Sequence, residues 1–275
     1  MSAFQIEDVF LNTMMEQNIF SDVGLGRRIR RFLRTFTVVM VSVSMCWSVY
    51  GQDLRIDHVV SVHQNLTLAI EEYSQMGFTI KRGHLHDNGL INAHVKFENG
   101  TSFELMSLSG SPQDMMAVVY DSLIKIDVKG AYLALTGINL PSLETALRNQ
   151  EIVYEVKTGK LWDYITFPAI SELAHIFFIV YHKDFREESE YTTHKNGADG
   201  IQHVTLEGSF ALISLLTELG LVNDSPLHSG IMNYDTPTGS IKVRVVRNPD
   251  RRPRIEEIVF GTKTRETLIS ISLNK

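Results

Sequence analysis

The sequence predicts an α+β fold assembled from repeated units of one strand, one helix and then further strands. A short β-rich run, an amphipathic helix and more β-rich runs recur at a spacing of roughly 70 residues, as in duplicated supersecondary units that close a core together. Of the 275 residues, 44% are hydrophobic, enough for a substantial buried core. Charged residues make up 21%, with no low-complexity tract, which excludes a globally disordered chain.

The first unit opens on Ile56-Asp57-His58-Val59-Val60-Ser61-Val62. Its period of two places Ile56, His58, Val60 and Val62 on one face. Asn65 is suited to cap a helix over Leu66 to Gln75, with Glu71 and Glu72 outward, and Gly77 stops it. Phe78-Thr79-Ile80 starts a second strand. Strands Ile91 to Phe97 and Ser102 to Leu108 follow, joined at the tight-turn pair Asn99-Gly100.

The second unit runs from Ala131 to Tyr181. Ala131 to Ile138 reads as a strand, and Pro141 fits the first turn of a helix ending near Asn149. Ile152 to Val156, Tyr164 to Phe167 and His175 to Tyr181 supply the remaining strands. A third unit begins at Gly200-Ile201-Gln202-His203-Val204-Thr205-Leu206. Its helix is Ala211 to Leu219, closed by Gly220, with strands near Ile231 to Tyr234, Ile241 to Val246 and Ile255 to Phe260. Ser109 to Gln113 and Glu187 to Gly200 read as linkers.

The residues before Gln52 read as a leader. Arg27, Arg28, Arg30, Arg31 and Arg34 precede an uncharged run, Phe36 to Tyr50, that ends beside Gly51. A positive flank, a short apolar stretch and small residues at its end are the pattern of a secretory signal peptide. The run spans about fifteen residues, short of the roughly 20 that a membrane-crossing helix needs, so an uncleaved anchor is the second reading. The expectation is export, to a periplasm or the exterior, with membrane contact only through this segment. Cys46, the one cysteine, lies within the run. The mature chain would then have no disulfide, catalytic thiol or cysteine-ligated zinc. A net charge of −6 argues against nucleic acid as a partner. The basic cluster Arg247, Arg251, Arg252 and Arg254, broken by prolines, reads as a solvated turn.

Several segments together resemble the vicinal-oxygen-chelate superfamily, and its glyoxalase-like branch (the glyoxalase, bleomycin-resistance and dioxygenase type) in particular. In the first unit they are Ile56-Asp57-His58-Val59-Val60, Met76-Gly77-Phe78, Gly83-His84-Leu85-His86, Asn92-Ala93 and Asn99-Gly100-Thr101-Ser102-Phe103-Glu104-Leu105. Downstream, Ala131 to Leu135 with Leu143 to Leu147, and His194-Lys195-Asn196-Gly197 ahead of Gly200-Ile201, fit the same branch. The resemblance implies paired βαβββ modules whose strands curl into an open, cup-like barrel, with a third related module C-terminal to them. The expected organisation is a leader over 1–51, a glyoxalase-like domain of two modules over 52–190, and the third module over 191–275.

The resemblance also implies that first and fourth strands lie side by side, so His58 and Glu104 would meet on the concave face. Imidazole and carboxylate suit a divalent metal such as Zn, Fe(II), Mn or Ni, with His203, the third module's match to His58, as a further candidate ligand. Family members draw ligands from two modules. Here the second module offers Phe177-Phe178-Ile179-Val180-Tyr181 and no carboxylate, so any metal would be held weakly. His58 and Glu104 are the candidate catalytic pair; His58 also reads as a hydrogen-bonded core histidine, whereas a buried unpaired carboxylate is costly. His84, His86, His94 and Asn92 are candidate ligand-binding residues. Trp162 and Tyr164 read as core or rim aromatics rather than a stacking platform.

Two function classes follow. One is a metal-assisted enzyme of the lyase, isomerase or dioxygenase type acting on a small carbonyl or oxygen-rich substrate. The other is a non-catalytic module that captures a small molecule. The expected partner is a small-molecule ligand, with a homodimer as the assembly to test for.

Overall fold

The computed structural model describes residues 53–223, 230–246, 253–263 and 268–273. The leader expectation, with Arg27 to Arg34 and Cys46, lies outside the described residues, as do Arg247, Arg251 and Arg252. The described residues belong to one compact unit. No described helix is long and apolar enough to cross a membrane.

The first module comprises β1 (Arg55–Val62), α1 (Leu66–Gln75), β2 (Lys81–Leu85), β3 (Leu90–Lys96) and β4 (Ser102–Leu108). Then come α2 (Met115–Lys125) and the second module: β5 (Gly130–Thr136), α3 (Leu140–Asn149), β6 (Glu155–Thr158), β7 (Trp162–Thr166) and β8 (Ile176–Tyr181). A short α4 (Ser189–Thr192) precedes β9 (Ala198–Gly208), α5 (Phe210–Glu218), β10 (Ile231–Thr236), β11 (Gly239–Val245), β12 (Ile255–Thr262) and β13 (Ile269–Ser272). The longer helices start where a side chain takes over an orphan backbone N–H: Asn65 accepts from Leu68, Asp114 from Ala117, Asn139 from Ser142 and Ser209 from Leu212. Each such cap stabilises its helix by about 1 kcal/mol.

Both modules join one eight-stranded sheet in the order β2-β3-β4-β1-β5-β8-β7-β6, which runs from edge to edge without closing. Within each module the first strand lies parallel to the last, β1 to β4 and β5 to β8, and the modules meet where β1 pairs antiparallel with β5. One face of this sheet carries Ile56, Val59, Phe103, Leu105, Leu133 and Phe178 into the main core, under α1, α3 and α5. The opposite face is covered over its first-module half by α2. There Ala117, Tyr120 and Leu123 bury themselves against Val60, Val62, Leu90 and Met106. The Ser109 to Gln113 linker is therefore only the approach to a helix absent from the sequence reading, because its apolar residues face a second, smaller core that exists only once the sheet has formed.

The second sheet is five-stranded, β10-β11-β9-β12-β13. It repeats the first in register. His203 lies opposite Ser240 on the parallel neighbour as His58 lies opposite Ser102. Rather than sitting beside β11, β12 crosses to the other side of β9 and pairs antiparallel, as β5 does with β1. This crossing buries Ile255, Ile258 and Phe260 in the main core. It also brings the Ile255 backbone against Gly130, where a Cβ would lie 2.4 Å from the Ile255 oxygen. Only glycine admits that approach.

Candidate functional site

The site begins with a break in strand alternation. Ile56 pairs with Leu135 and His58 with Ala134, so Asp57 is an extra residue on β1. Such a bulge re-aims the side chains around it. Ile56 packs into the main core, while Val60 and Val62 pack on the α2 face. The expectation that Ile56 shares a face with His58, Val60 and Val62 is corrected here: the extra residue resets the period of two between Ile56 and His58. The same displacement lets Asp57 reach its neighbour. Asp57 Oδ1 accepts from His58 Nδ1 at 2.5 Å and from the Tyr181 hydroxyl at 3.2 Å.

With Nδ1 held, Nε2 of His58 faces Glu104 Oε2 at 3.5 Å. Glu104 comes from β4, one alternation beyond the position opposite His58. From β3, the Asn92 amide nitrogen donates to Glu104 Oε1 at 2.7 Å and to His94 Nε2 at 3.1 Å, and His94 Nε2 lies 3.9 Å from the same oxygen. Room for Asn92 is made by Gly83. A Cβ there would sit 1.9 Å from Asn92 Oδ1, which instead accepts the His84 backbone N–H at 3.2 Å. Asp57 with His58, and Asn92 with His94 and Glu104, thus form two hydrogen-bonded sets that meet where His58 Nε2 faces Glu104 Oε2, with the His58 and Glu104 side chains 14% and 11% exposed.

Burial pushes the Glu104 carboxyl towards the neutral acid, but His58, His94, the Asn92 hydrogen bond and Lys96 outweigh it and hold the group below the usual carboxylate range. His94 is driven down to about 4, chiefly by burial, against the opposing pull of Glu104. It is therefore neutral at physiological pH, and since Nε2 accepts from Asn92, its proton resides on Nδ1. That Nδ1 is buried with no partner, as is Nε2 of His86.

The other sequence candidates fall as follows. The His84 ring is exposed, stacked at a tilt 4.3 Å from His86. His203 lies in the second sheet, where its charged neighbours are Lys242 and Glu257. It does not join the His58 group, because the third module occupies a separate sheet. Lys242 stands in the register position that Glu104 holds in the first module. Asp57 and Tyr181 were not singled out from the sequence. The adjacent Asp-His pair was the available signal, but strict alternation would have sent the two side chains to opposite faces.

On the second-module half of the same face the residues are aromatic. Phe177 meets the His58 ring edge-on at 5.5 Å, and Tyr132 and Tyr164 each lie 6.0 Å from Phe177. Trp162 continues the row, 6.2 Å from Tyr164 and 6.0 Å from Tyr181. A separate cavity of about 260 Å³ lies at the far end of β1, between α1 and α2, lined by Val62, His63, Leu68, Leu123 and Lys129 among others. Its histidine is already engaged, with Nε2 2.6 Å from the Ser61 hydroxyl, and it contains none of the His58 group.

The Asn92 amide hydrogens occupy the His94 Nε2 lone pair and Glu104 Oε1, and leave His58 Nε2 and Glu104 Oε2 facing each other. Among the described residues no cluster of three or more His, Cys, Asp or Glu side chains is disposed to hold a metal ion.

No protein-family model matches the chain, and no curated protein matches it. Solved structures do. A hypothetical protein from Staphylococcus aureus superposes with a TM-score of 0.56 at 10% identity, over 79% of this chain and 98% of that one. Methylmalonyl-CoA epimerase from Mycobacterium tuberculosis matches at a TM-score of 0.38 and 20% identity, over 46% of this chain and 88% of its own. A Streptomyces coelicolor methylmalonyl-CoA epimerase matches at 0.37 and 14%, over 48% and 98%. At 10% identity the likeness to the Staphylococcus aureus protein is one of fold alone. With two βαβββ modules joined through β1 and β5, and a related unit starting at β9, the chain has an α+β fold of repeated β/α modules in two sheets.

Proposed function

We propose that the first sheet curls into a cup about the His58 group, and that this protein binds a small carbonyl compound there and moves a proton on it. The observation that carries the reading is Glu104, a buried carboxylate kept ionised beside an imidazole whose other nitrogen is already held by a second carboxylate. Because Nδ1 donates to Asp57, the neutral His58 has its lone pair at Nε2, the atom of a general base. It would take a proton from carbon next to a carbonyl. The C–H bond breaks, an N–H bond forms, and the electron pair passes to the carbonyl oxygen. The resulting imidazolium lies between the carboxylates of Asp57 and Glu104. Returning a proton to the same carbon completes an isomerase-type exchange that no metal step is needed to describe.

The test is α-proton exchange in D2O, followed by NMR, on hydroxyacetone, cyclohexanone and 2-indanone. The full chain should accelerate exchange on at least one of them, and His58→Ala and Glu104→Gln should each reduce the rate by roughly 100-fold or more, the scale of a general acid–base contribution. Variants as fast as the parent would overturn the reading. A second reading, capture without chemistry, is favoured by the aromatic second-module face, which offers no second acid. It predicts binding with no exchange at all.

A further inference from the structure

The second-module half of the site face poses a separate question. Tyr132, Phe177, Tyr164 and Trp162 stand side by side on β5, β8 and β7, each partly open to solvent. α2 reaches only the inner end of the row, where the Tyr120 ring lies 5.4 Å from Tyr132 and Phe177 packs against the same small core, which includes neither Tyr164 nor Trp162. The row continues to Tyr181 and Phe185, 37% and 47% exposed. Contiguous aromatic surface left in water is unfavourable by the area it exposes, and its usual explanation is an occupant. Here its inner end is also fixed to the chemistry, since Phe177 lies edge-on to His58.

Charge narrows the occupant. At the inner end are the carboxylates Asp57 and Glu104, which disfavour an anion. The cation nearest them, Lys96, is already committed to Glu187 at 3.4 Å. At the outer end the Lys183 ammonium sits over the Phe185 ring, 5.3 Å from its centre, and so holds the rim's cation–π position against a cationic ligand. An uncharged molecule meets neither obstacle. Ring faces set at steep angles to one another favour a flat π system over a saturated one, through offset and edge contacts.

We infer that the ligand of this site is an uncharged planar ring that lies along Phe177, Tyr164 and Trp162 and directs a hydroxyl or carbonyl oxygen towards His58. This rests on the proposed placement of the active face but not on proton transfer occurring there. It also revises Trp162 and Tyr164, read from sequence as rim or core aromatics, into a stacking platform.

The test is calorimetric and fluorescence titration of the full chain with three probes of one shape: 2-naphthol, decahydro-2-naphthol and 2-naphthoate. The expected result is saturable binding of 2-naphthol, at least tenfold weaker binding of the saturated alcohol, and no competition from the anion. Phe177→Leu should weaken 2-naphthol at least fivefold and Trp162→Leu at least threefold, with circular dichroism unchanged in at least the more exposed Trp162 variant. Equal affinity for the flat and saturated alcohols, or full affinity in the Trp162 variant, overturns the inference. Ring selectivity without any α-proton exchange would sustain it and defeat the proton-transfer reading. Exchange on hydroxyacetone without ring selectivity would do the reverse.

Discussion

The two halves of the first sheet share a backbone plan and differ in chemistry. β1 and β5 pair about Val59 and Leu133, and each has one extra residue at the matching place, Asp57 on β1 and Ala131 on β5. The side chains that follow the two bulges are His58 and Tyr132. On the parallel neighbours, Glu104 lies opposite Val60 while Phe177 lies opposite Ala134. One half therefore supplies Asp-His and Glu, the other Ala-Tyr and Phe, from equivalent positions on one face. A repeat of β9 against β12, with Gln202 as its extra residue, shows that the bulge belongs to the module's architecture and not to the site. The backbone device is general, and the residues placed on it decide whether a module carries charge or aromatic surface.

Giving the first bulge the residues of the second is the severest way to break this difference. Asp57→Ala with His58→Tyr should lower α-proton exchange by roughly 100-fold or more while circular dichroism keeps its βαβββ character. Activity surviving at parent levels would remove His58 from the mechanism.

Gly83 supports only the charged half. Gly83→Ala should destabilise the protein by about 1–3 kcal/mol in urea unfolding, because the new Cβ meets the Asn92 side chain and β2 must shift. Asn92→Ala keeps the backbone but leaves Glu104 without its shortest hydrogen bond. It should raise the Glu104 carboxyl in a carbon-13 NMR titration and cost about 1–3 kcal/mol. No movement of that titration would mean that His58, His94 and Lys96 hold the carboxylate ionised without the amide.

Acid should unfold this half of the sheet first. His94 and His63 are both depressed to about 4, each chiefly by burial. Below the unfolded histidine value of about 6.5 the unfolded chain binds more protons than the native one, so stability falls from there down to about 4. Glu104, also depressed, adds a loss below the ordinary carboxylate value. Calorimetric melting temperature should be level between pH 7 and 8 and decline steadily from pH 6.5 to 4; a level profile to pH 4.5 would contradict the burial of these histidines. The smallest effect concerns metals. Elemental analysis of the purified full chain should find zinc, iron, manganese and nickel each well below one equivalent, and a tightly held stoichiometric metal would replace the hydrogen-bonded description of the site.

Much of this was legible in residue order. The spans of α1 and β4 match the expected Leu66 to Gln75 and Ser102 to Leu108, and Pro141 lies in the first turn of α3. His58 and Glu104 were expected to meet on one face and do so at 3.5 Å, although what they do there remains a proposal. What escaped was α2, whose buried residues face a core made by distant strands, together with Asp57, Tyr181 and the aromatic row. Of these only Asp57 had a local signal, its adjacency to His58.

Local order was sufficient wherever the cause is local. Alternation, capping side chains, turn dipeptides and the repeat itself act between residues a few positions apart, so the sequence by itself determined the modules and their succession. Which way Asp57 and His58 point was decided by how β1 registers against β5, across an antiparallel pairing of segments more than seventy residues apart. That pairing exists only in the folded sheet. The same holds for the facing of Glu104 by His58 and of His58 by Phe177: each contact joins strands that the tertiary fold alone makes neighbours.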